Sequence, residues 1–198
     1  MIKMIAAVSI NGVIGINNEL PWKNRYANDM IFFRQMTKDS IVVMGRNTYQ
    51  SIGGKPLPKR ENRIVASKPY EEKAVDYFPP TSKTNYTSLA AALEAPNPDN
   101  RDIWLIGGAG IYEEAITKNL AAEIYLTLIP ETIDTTGKTV ARFPFIHPLA
   151  FDCEKRMMNE LVPVENKDKL IVAIYRPSKT VWMVSSAAAT ASETRSSH

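Results

Sequence analysis

The chain has 198 residues, 44% hydrophobic and 23% charged, a balance that excludes a fibrous or disordered protein and predicts one domain with a substantial core. Its formal charge is +3 and it has no run of five or more basic residues, so no nucleic-acid partner is expected. One cysteine and two histidines exclude an internal disulfide and supply too few ligands for a zinc site, so we expect no metal and a reducing cytoplasm.

Residues 1–10 contain a short apolar run that ends at Asn11-Gly12 with no signal-peptide cleavage site after it, so they are predicted to form a first strand. No stretch approaches the roughly 20 apolar residues that a membrane-spanning helix requires. We therefore expect a soluble protein without membrane contact.

Strand-like and helix-like patterns alternate along the chain. Further strands are predicted at residues 41–44, 63–66, 103–106, 123–129, 151–160 and 169–175. Helices are predicted at residues 28–37, just after Arg46, at residues 88–94 with Thr87 as the cap, and at residues 110–118. The last two strands are expected to form a hairpin around residues 165–168. The predicted fold is α/β, with a mostly parallel central sheet, an antiparallel C-terminal edge strand and flanking helices.

Residues 1–176 are predicted to form the domain, and residues 177–198 to form a flexible tail. The tail is rich in Ser, Ala and Thr and cannot bury enough surface to order itself. Its apolar patch at residues 181–184 could dock on the domain or on a partner.

Asp29 stands alone among apolar residues in the segment Asp29-Met30-Ile31-Phe32-Phe33. On a helix, Asp29 and Phe33 share one face, which places a carboxylate on an apolar wall. An unpaired buried carboxylate costs several kcal/mol, so it must meet a donor or be protonated. Asp29 is therefore either a core acid with a hidden partner or a group that binds a ligand.

Three predicted strand ends carry groups that suit phosphate. The turn Ile106-Gly107-Gly108-Ala109-Gly110-Ile111-Tyr112 opens a helix, although it matches neither a G-x-G-x-x-G fingerprint nor a P-loop. The segment Gly45-Arg46-Asn47-Thr48 also precedes a helix, and Ala66-Ser67-Lys68 follows a third strand. The alternatives are ordinary tight turns and a solvated arginine. Together these segments indicate a ligand with several phosphates.

The loop of residues 51–60 offers apolar Ile52 and Leu57 and ends in Arg60. Arg60 could bind a carboxylate through two hydrogen bonds while the aliphatic groups hold an aromatic ring. A surface arginine is the alternative. Patterns of serine hydrolases, zinc proteases and zinc deaminases are absent from the sequence. His147 is interpreted as a structural or surface residue, and Cys153 as a small core or edge residue.

With these residues assembled, residues 1–176 closely resemble the dihydrofolate reductase family. The resemblance depends on the order and spacing of several motifs together. These are Ile5-Ala6-Ala7, Asn11-Gly12-Val13-Ile14-Gly15, Leu20-Pro21-Trp22, Asp29 with Phe33, Met44-Gly45-Arg46-Asn47-Thr48, Pro56-Leu57-Pro58-Lys59-Arg60, Ile106-Gly107-Gly108-Ala109 and Tyr125-Leu126-Thr127.

The resemblance implies hydride transfer from NADPH to 7,8-dihydrofolate, giving tetrahydrofolate for one-carbon and thymidylate metabolism. It implies that Asp29 binds the 2-amino group and a ring nitrogen of the pterin, helped by Thr127, and that water is the immediate proton donor. Residues 9–24, with Leu20 and Trp22, are then the mobile loop that excludes water from the nicotinamide.

The resemblance also assigns two sets of binding residues. Those expected to bind dihydrofolate are Ile5, Ala6, Met30, Phe33, Ile52, Leu57 and, for the glutamyl carboxylate, Arg60. Those expected to bind NADPH are Ala7, Val13, Ile14, Gly15, Gly45, Arg46, Asn47, Thr48, Ala66, Ser67, Lys68, Ile106, Gly107, Gly108, Ala109, Gly110, Ile111 and Tyr112.

The sequence departs from the family pattern in three places. The interval from Trp22 to Asp29 is two residues longer than in the common bacterial form, which leaves the start of the helix open. The usual Gly-Asp pair before Phe143-Pro144 is missing and residues 134–142 stand there instead, so we expect altered loop closure. Gly110 replaces a basic residue that many relatives carry.

Two other functions are compatible with parts of this sequence pattern. The reductase of riboflavin synthesis shares the general fold, but Asp29, the Pro21-Trp22 loop and the segment Leu57 to Arg60 favour the folate enzyme. A non-catalytic folate- or nucleotide-binding protein is disfavoured because Asp29 and the nicotinamide residues are all present. We expect a monomer, although Trp182 in the tail leaves an assembly role open.

Overall fold

The structure of the protein is a computed structural model, which describes residues 1–23, 25–67 and 82–178. Its strands are β1 (Ile2–Ser9), β2 (Val13–Ile16), β3 (Ile41–Gly45), β4 (Glu61–Val65), β5 (Ser82–Tyr86), β6 (Ile103–Leu105), β7 (Glu123–Ile129), β8 (Val140–Arg142), β9 (Phe151–Met157) and β10 (Ile171–Pro177). Its helices are α1 (Ala27–Met36), α2 (Arg46–Ser51), α3 (Leu89–Glu94), α4 (Ala109–Thr117) and α5 (Met158–Leu161). Lys68, Asn24 in the predicted loop, and residues 179–198 of the predicted tail lie outside the described residues.

The described strands form one eight-stranded sheet in the order β5-β4-β3-β6-β1-β7-β10-β9. The strands from β5 to β7 pair in parallel, and β10 pairs antiparallel with both β7 and β9. A separate two-stranded ribbon joins β2 to β8. The predicted α/β fold, with antiparallel pairing at its C-terminal edge, is confirmed.

Hydrophobic packing covers both faces of the sheet, because successive side chains of a strand point to opposite sides. In β3, Val43 packs in one cluster with Met4 and Leu105, while Val42 packs in the other with Phe32 of α1. Burial on both faces explains why β3 has a continuous apolar sequence. The helices thus flank the sheet, and the carboxyl ends of its parallel strands lie at one edge of it.

Two local predictions were wrong. The cap of α3 is Ser88 and not Thr87, because the Ser88 hydroxyl accepts a hydrogen bond from Ala91 N at 3.1 Å. The strand predicted at residues 151–160 ends at Met157, where α5 begins and buries Met158. The connection from β9 to β10 therefore contains a helical turn and is not a tight hairpin.

The last strand runs to Pro177, and Ser178 N donates a hydrogen bond to Ala150 O at 2.9 Å. Pro177 and Ser178, which the sequence assigned to the tail, thus lie with the sheet. None of the helices in the described residues is long and apolar enough to cross a membrane.

Candidate active site

A cleft of about 1110 Å³ opens along the carboxyl ends of the central strands. Its wall includes the second half of β1, the ends of β3 and β4, and the first residues of α2 and α4. One face of α1 and the β2–β8 ribbon complete it. This is the edge at which open α/β sheets bind ligands.

Most of the residues predicted from the sequence meet in this cleft. The predicted site residues that line it are Ile5, Ala6, Ala7, Ile14, Gly15, Leu20, Asp29, Met30, Phe33, Gly45, Arg46, Asn47, Thr48, Ile52, Leu57, Ala66, Ser67, Ile106, Gly107, Gly108, Ala109, Gly110, Ile111 and Tyr112. Four others, Val13, Trp22, Thr127 and Arg60, are buried and are not among the residues that line the cleft. Lys68 is outside the described residues.

Asp29 sits in the first turn of α1 and is only 8% exposed, although it borders the cleft. Burial raises the pKa of its carboxyl to about 6, and the nearby Thr127 hydroxyl opposes part of this rise. No Lys or Arg of the described chain forms an ion pair with it. The carboxylate is therefore a strong acceptor held in an apolar wall.

Thr127 stands on β7 opposite Ala7 of β1, and its side chain is buried. Its hydroxyl is close enough to Asp29 to lower the carboxyl pKa, but it makes no hydrogen bond of ordinary geometry within the described chain. A buried hydroxyl without a well-formed partner is costly. A ligand that donates hydrogen bonds to Asp29 would also give the Thr127 hydroxyl a hydrogen-bond partner.

Trp22 is 3% exposed and packs with Ile5 and Phe32 in the core, so the structure does not place it in the cleft wall. Its indole N–H is buried and has no hydrogen-bond partner among the described residues. Leu20, by contrast, is 42% exposed and borders the cleft. The predicted loop thus divides into an anchor at Trp22 and a lining residue at Leu20.

The helices α2 and α4 begin next to each other at the cleft, because Gly45 N donates to Gly107 O at 2.7 Å. Neither N-cap residue, Gly45 or Gly108, supplies a side-chain cap. Free N–H groups at a helix start attract anions, and two such starts side by side suit a pyrophosphate. The residues present therefore fit a dinucleotide cofactor.

Glycine is required in the turn before α4. Gly107 has φ of +107°, and a Cβ atom there would lie 3.1 Å from the Tyr112 hydroxyl. A Cβ atom on Gly108 would lie 3.2 Å from the Thr48 hydroxyl of α2. The Tyr112 hydroxyl donates to Ile5 O at 2.8 Å, which ties α4 to β1 at the centre of the cleft. Burial raises the pKa of Tyr112, so it stays a neutral donor.

Arg60 is 7% exposed, and three backbone and side-chain acceptors hold its guanidinium. Nε donates to Thr37 Oγ1 at 2.9 Å, Nη1 to Pro58 O at 2.7 Å and Nη2 to Arg34 O at 3.0 Å. The group also lies 5.9 Å from the centre of the Phe33 ring, which borders the cleft. It forms no ion pair with the described residues, and each Nη atom keeps one N–H that these bonds do not use.

Eight lining residues are not among those predicted individually, although Asn18 and Glu19 lie in the predicted mobile loop of residues 9–24 and Ser51 lies in the loop of residues 51–60. They are Asn18, Glu19, Ser51, Val65, Glu114, Thr139, Val140 and Ala141. Ser51 and Glu114 follow predicted motifs at helical spacing, so the helix period could have indicated them. Residues 139–141 line the cleft only because β8 pairs with β2, and nothing local in the sequence indicates that pairing.

The ribbon and its neighbouring loops are tied by several bonds. The Asn11 side chain donates to Ile133 O at 2.9 Å and accepts from Ile133 N at 3.1 Å. Asp134, the acid nearest to the missing Gly-Asp pair, is turned to its own loop, where it binds Thr136 N at 3.0 Å and Lys138 at 3.1 Å. The loops thus contact each other through Asn11, and through Asn17, whose N donates to Thr139 O at 2.9 Å and whose Oδ1 accepts from Thr139 N at 3.0 Å, but not through Asp134.

Comparisons with known proteins agree with this geometry. A family model described as dihydrofolate reductase matches residues 1–174. The dihydrofolate reductase of Buchnera aphidicola subsp. Acyrthosiphon pisum is 36% identical over 143 residues, covering 72% of this chain and 78% of the relative. Dihydrofolate reductase type 3 of Salmonella typhimurium is 38% identical over 130 residues, covering 65% and 72%.

Two further matches support less, because one covers a quarter of a longer protein and the other has a low sequence identity. The bifunctional dihydrofolate reductase-thymidylate synthase of Paramecium tetraurelia is 34% identical over 126 residues, which cover 64% of this chain but only 25% of that protein. The structure of dihydrofolate reductase from Enterococcus faecalis, complexed with NADP(H) and RAB-propyl, superposes with a TM-score of 0.70 at 23% identity. That match covers 90% of this chain and 97% of the other, and it supports the fold.

The family model spans all of the strands and helices except the last residues of β10. The resemblance seen in the sequence is therefore confirmed: the chain belongs to the dihydrofolate reductase family, the NADP-dependent oxidoreductases that reduce dihydrofolate to tetrahydrofolate.

Proposed function

We propose that this chain reduces 7,8-dihydrofolate to 5,6,7,8-tetrahydrofolate with NADPH, and that Asp29 binds and orients the pterin ring. The observation that carries the proposal is the buried Asp29 carboxylate, which borders the cleft and has no cation beside it. At the other end of the same cleft, two uncapped helix starts suit phosphates. A protonated heterocycle with N–H donors would suit the Asp29 end of the cleft. A dinucleotide would suit the end with the two helix starts.

Asp29 would accept hydrogen bonds from the 2-amino group and the adjacent ring nitrogen of the pterin. Burial strengthens these bonds and favours a proton on the ring, since an ionised carboxylate in an apolar wall is stabilised by a positive partner. The Thr127 hydroxyl lies on the same side and would complete the donor and acceptor pattern. Neither side chain reaches the nitrogen that is protonated during reduction in this family, so water is the proposed immediate donor.

The dihydrofolate body would lie against apolar side chains on both sides of the slot. Ile5 and Phe33 belong to opposite walls, formed by β1 and α1, and Ile52 and Leu57 belong to the loop after α2. Beyond Phe33, the two unused N–H groups of Arg60 would bind the glutamyl α-carboxylate. Arg60 is already held by three acceptors, so little side-chain entropy is lost on binding.

NADPH supplies the hydride when it is bound. The first residues of α4 and the turn at Gly107 would bind the pyrophosphate, and Arg46, Thr48 and Ser67 would bind the remaining phosphates. Ala7, Ile14 and Tyr112 would surround the nicotinamide. Leu20 and the β2–β8 ribbon would cover it and keep water from the reacting carbon.

We also propose a monomeric, cytoplasmic enzyme. The outer strand β9 carries Glu154, Lys155 and Arg156 in succession, all exposed, and charges on an edge strand prevent pairing with another copy. Cys153 is an exposed free thiol, which suits a reducing compartment. Light scattering after gel filtration tests the monomer, since a dimer mass would contradict it.

Purified protein mixed with NADPH and dihydrofolate should oxidise NADPH, which is measured as a loss of the absorbance of the reduced nicotinamide. Asp29→Asn should slow hydride transfer by ~100-fold or more near neutral pH, because the ring loses its charged partner. NADPH affinity should change by less than about twofold, since Asp29 faces the other end of the cleft. A matched control is Asp99→Asn, a surface acid paired only loosely with Arg101 at 3.7 Å.

Each outcome tests a different part of the proposal. Lack of turnover by the folded, unaltered protein would contradict the reductase activity. Equal losses of hydride transfer and NADPH binding in Asp29→Asn would contradict the role given to Asp29, and a slow Asp99→Asn would show that the losses are not specific.

A further inference from the structure

We propose that Glu131 is a positioning residue for hydride transfer, because it fastens the start of α1, which carries Asp29, to the end of β7, which carries Thr127. The inference deepens the proposed function and rests on it. Glu131 does not border the main cleft. It would act through Tyr26 and Arg25, with no contact to substrate or cofactor.

The backbone of Glu131 is fixed at the carboxyl ends of two neighbouring strands. Glu131 N donates to Ile129 O, the last residue of β7, at 2.8 Å. Glu131 O accepts from Ile10 N at 2.9 Å, directly after β1. The Glu131 carboxylate therefore projects from a backbone that is bonded next to the carboxyl ends of β1 and β7, two neighbouring parallel strands.

Each carboxylate oxygen of Glu131 accepts a hydrogen bond from the segment that leads into α1. Oε1 accepts from the Tyr26 hydroxyl at 2.8 Å, and Oε2 accepts from Arg25 Nη2 at 2.6 Å. The same Arg25 nitrogen donates to Pro21 O at 3.1 Å. One carboxylate thus binds both Arg25 and Tyr26, which lie between Trp22 and Asp29, and Arg25 in turn binds Pro21 O.

Tyr26 connects this contact to the catalytic carboxylate. It is the N-cap residue of α1, it offers no side-chain cap, and its carbonyl accepts from Asp29 N at 3.2 Å. A displacement of Tyr26 would therefore move the first turn of α1. That turn has little else to fix it, because α1 has no capping side chain to define where it starts.

The two elements are joined twice. Inside the cleft, Asp29 of α1 lies beside Thr127 of β7; outside it, Tyr26 is bonded to Glu131, just beyond the end of β7. Core packing of Phe32 already holds the body of α1 on the sheet, and these two contacts hold its first turn, where Asp29 lies, against the end of β7. Glu131 would thus set the distance at which Asp29 meets the ring.

The ion pair itself is too exposed to matter much for folding. The Arg25 and Glu131 side chains are 54% and 27% exposed, and pairs of this kind contribute about 0–1 kcal/mol. Geometry is far more sensitive, since a displacement of ~1 Å at a catalytic group can slow a reaction by about 100-fold. The effect of Glu131 should therefore appear in the chemical step.

Single-turnover hydride transfer should be compared in Tyr26→Phe, Glu131→Ala, Glu131→Gln and the unaltered protein. Tyr26→Phe, which changes no charge, and Glu131→Ala should each slow the step by about 10-fold. The double variant should be hardly slower than either single variant, because both remove one contact. Glu131→Gln keeps an acceptor for Tyr26 and should restore the rate to within about threefold of normal.

A pH profile gives a readout that a purely structural role would not move. Thr127 lowers the pKa of Asp29, so a looser α1 weakens that effect. In Tyr26→Phe the pKa that governs hydride transfer should rise above its normal value, while the NADPH dissociation constant should change by less than about twofold.

The chain contains a matched control at the opposite end of β7. The Glu123 carboxylate also binds one tyrosine and one arginine, Tyr125 at 2.8 Å and Arg176 at 2.8 Å. Tyr125→Phe and Glu123→Ala remove the same chemistry but leave α1 untouched. Both should keep normal hydride transfer and a normal pH profile.

Normal rates in folded Tyr26→Phe and Glu131→Ala would overturn the inference. So would an equal slowing in Tyr125→Phe, or a loss of NADPH binding that parallels the loss of rate. If the unaltered protein gave no turnover, the proposed function itself would fail and this inference with it.

Discussion

The Asp29 carboxyl and the Thr127 hydroxyl lie beside each other at the junction of α1 and β7. Burial raises the pKa of Asp29 to about 6, and Thr127 opposes part of that rise. Thr127 is itself held by the register of the sheet, opposite Ala7 on β1. The acidity of the site therefore depends on how a helix packs on a strand that is distant in sequence.

Thr127→Val should raise the pKa of Asp29, because valine keeps the shape of threonine and removes the hydroxyl. The pH profile of hydride transfer should shift upward, and the KM for dihydrofolate should rise by ~3- to 10-fold for the loss of one hydrogen bond. Steady-state kinetics across pH measures both quantities.

The matched control is Thr84→Val on the exposed edge strand β5, which should leave both quantities unchanged. An unshifted profile in Thr127→Val would show that Thr127 does not influence the Asp29 carboxyl.

Asp29→Asn should stabilise the ligand-free protein above about pH 6. The folded pKa of about 6 exceeds the ordinary value of 3.8, so the folded state binds more protons than the unfolded state between these values. Stability therefore falls as pH rises through this window and stays lower above it. The upper limit of the gain at about pH 8 is roughly 3 kcal/mol, for a shift of about two pKa units.

Urea unfolding at several pH values measures this gain, which should vanish below about pH 4 where both side chains are neutral. Asp134→Asn is the opposite control, because bonds to Thr136 and Lys138 lower the pKa of the Asp134 carboxyl to about 2. Because the pKa of Asp134 is depressed, its ionised carboxylate stabilises the fold at pH values above the ordinary pKa of 3.8. This stabilisation is lost as the pH falls towards 2. A gain in Asp29→Asn that persisted at low pH would point to packing instead of charge.

The central strands could be predicted from the sequence because their burial leaves a local signature. Strand β3 (Ile41–Gly45) is buried along its apolar run, and β1 and β7 have similar runs. Strand β5 (Ser82–Tyr86) was missed because it is polar and becomes a strand through its ladder with β4. Strands β2 and β8 were missed because they have only four and three residues and each is defined by its pairing with the other.

The residues of the candidate site also fall into those that a local sequence pattern predicts and those that depend on contacts between distant segments. Helix starts and glycine turns of the kind that suit phosphates are local features, so the sequence predicts Gly45 and Gly107 together with their neighbours. The surroundings of Arg60 depend on Thr37 and Arg34 of a different element, and the partners of Glu131 lie far away in sequence. Contacts between distant segments leave no pattern in a single sequence.

Arg60→Lys should weaken binding of dihydrofolate through its glutamyl tail. Lysine keeps the charge but cannot offer the planar pair of N–H groups to a carboxylate, and the bonds to Pro58 O and Arg34 O cannot both be kept. The KM for dihydrofolate should rise by ~10-fold or more, as for the loss of a charged hydrogen bond.

Dihydropteroate, which lacks the glutamate, provides the control within the same variant. Its KM should change by less than about threefold if the Arg60 contact is specific to the tail. Equal increases for both substrates would mean that Arg60→Lys distorts the apolar slot.

Gly107→Ala and Gly110→Ala should have opposite effects on stability. Gly107 has φ of +107° and a Cβ atom there meets Tyr112 at 3.1 Å, so alanine should cost about 1–3 kcal/mol. A Cβ atom on Gly110 meets nothing within 4 Å, and this residue lies in the first turn of α4. Alanine there should stabilise the protein by up to about 1 kcal/mol. Urea unfolding without ligands measures both, and equal effects would contradict the turn geometry.

Asn11→Ala should loosen the loops beside the β2–β8 ribbon, at the end of the cleft where we propose that the nicotinamide binds. The Asn11 side chain makes two bonds to Ile133 and accepts a third from the Ser9 hydroxyl at 2.8 Å, and β2 begins two residues later. Hydride transfer should fall by ~5- to 20-fold as water enters and the ribbon shifts.

Asp134→Ala provides the comparison, because Asp134 bonds only within its own turn and so should leave hydride transfer within about twofold of normal. Relaxation dispersion should show a larger open population in Asn11→Ala and a normal one in Asp134→Ala. A slow Asp134→Ala with a normal Asn11→Ala would reverse the assignment. Loop closure in this chain would then depend on Asp134.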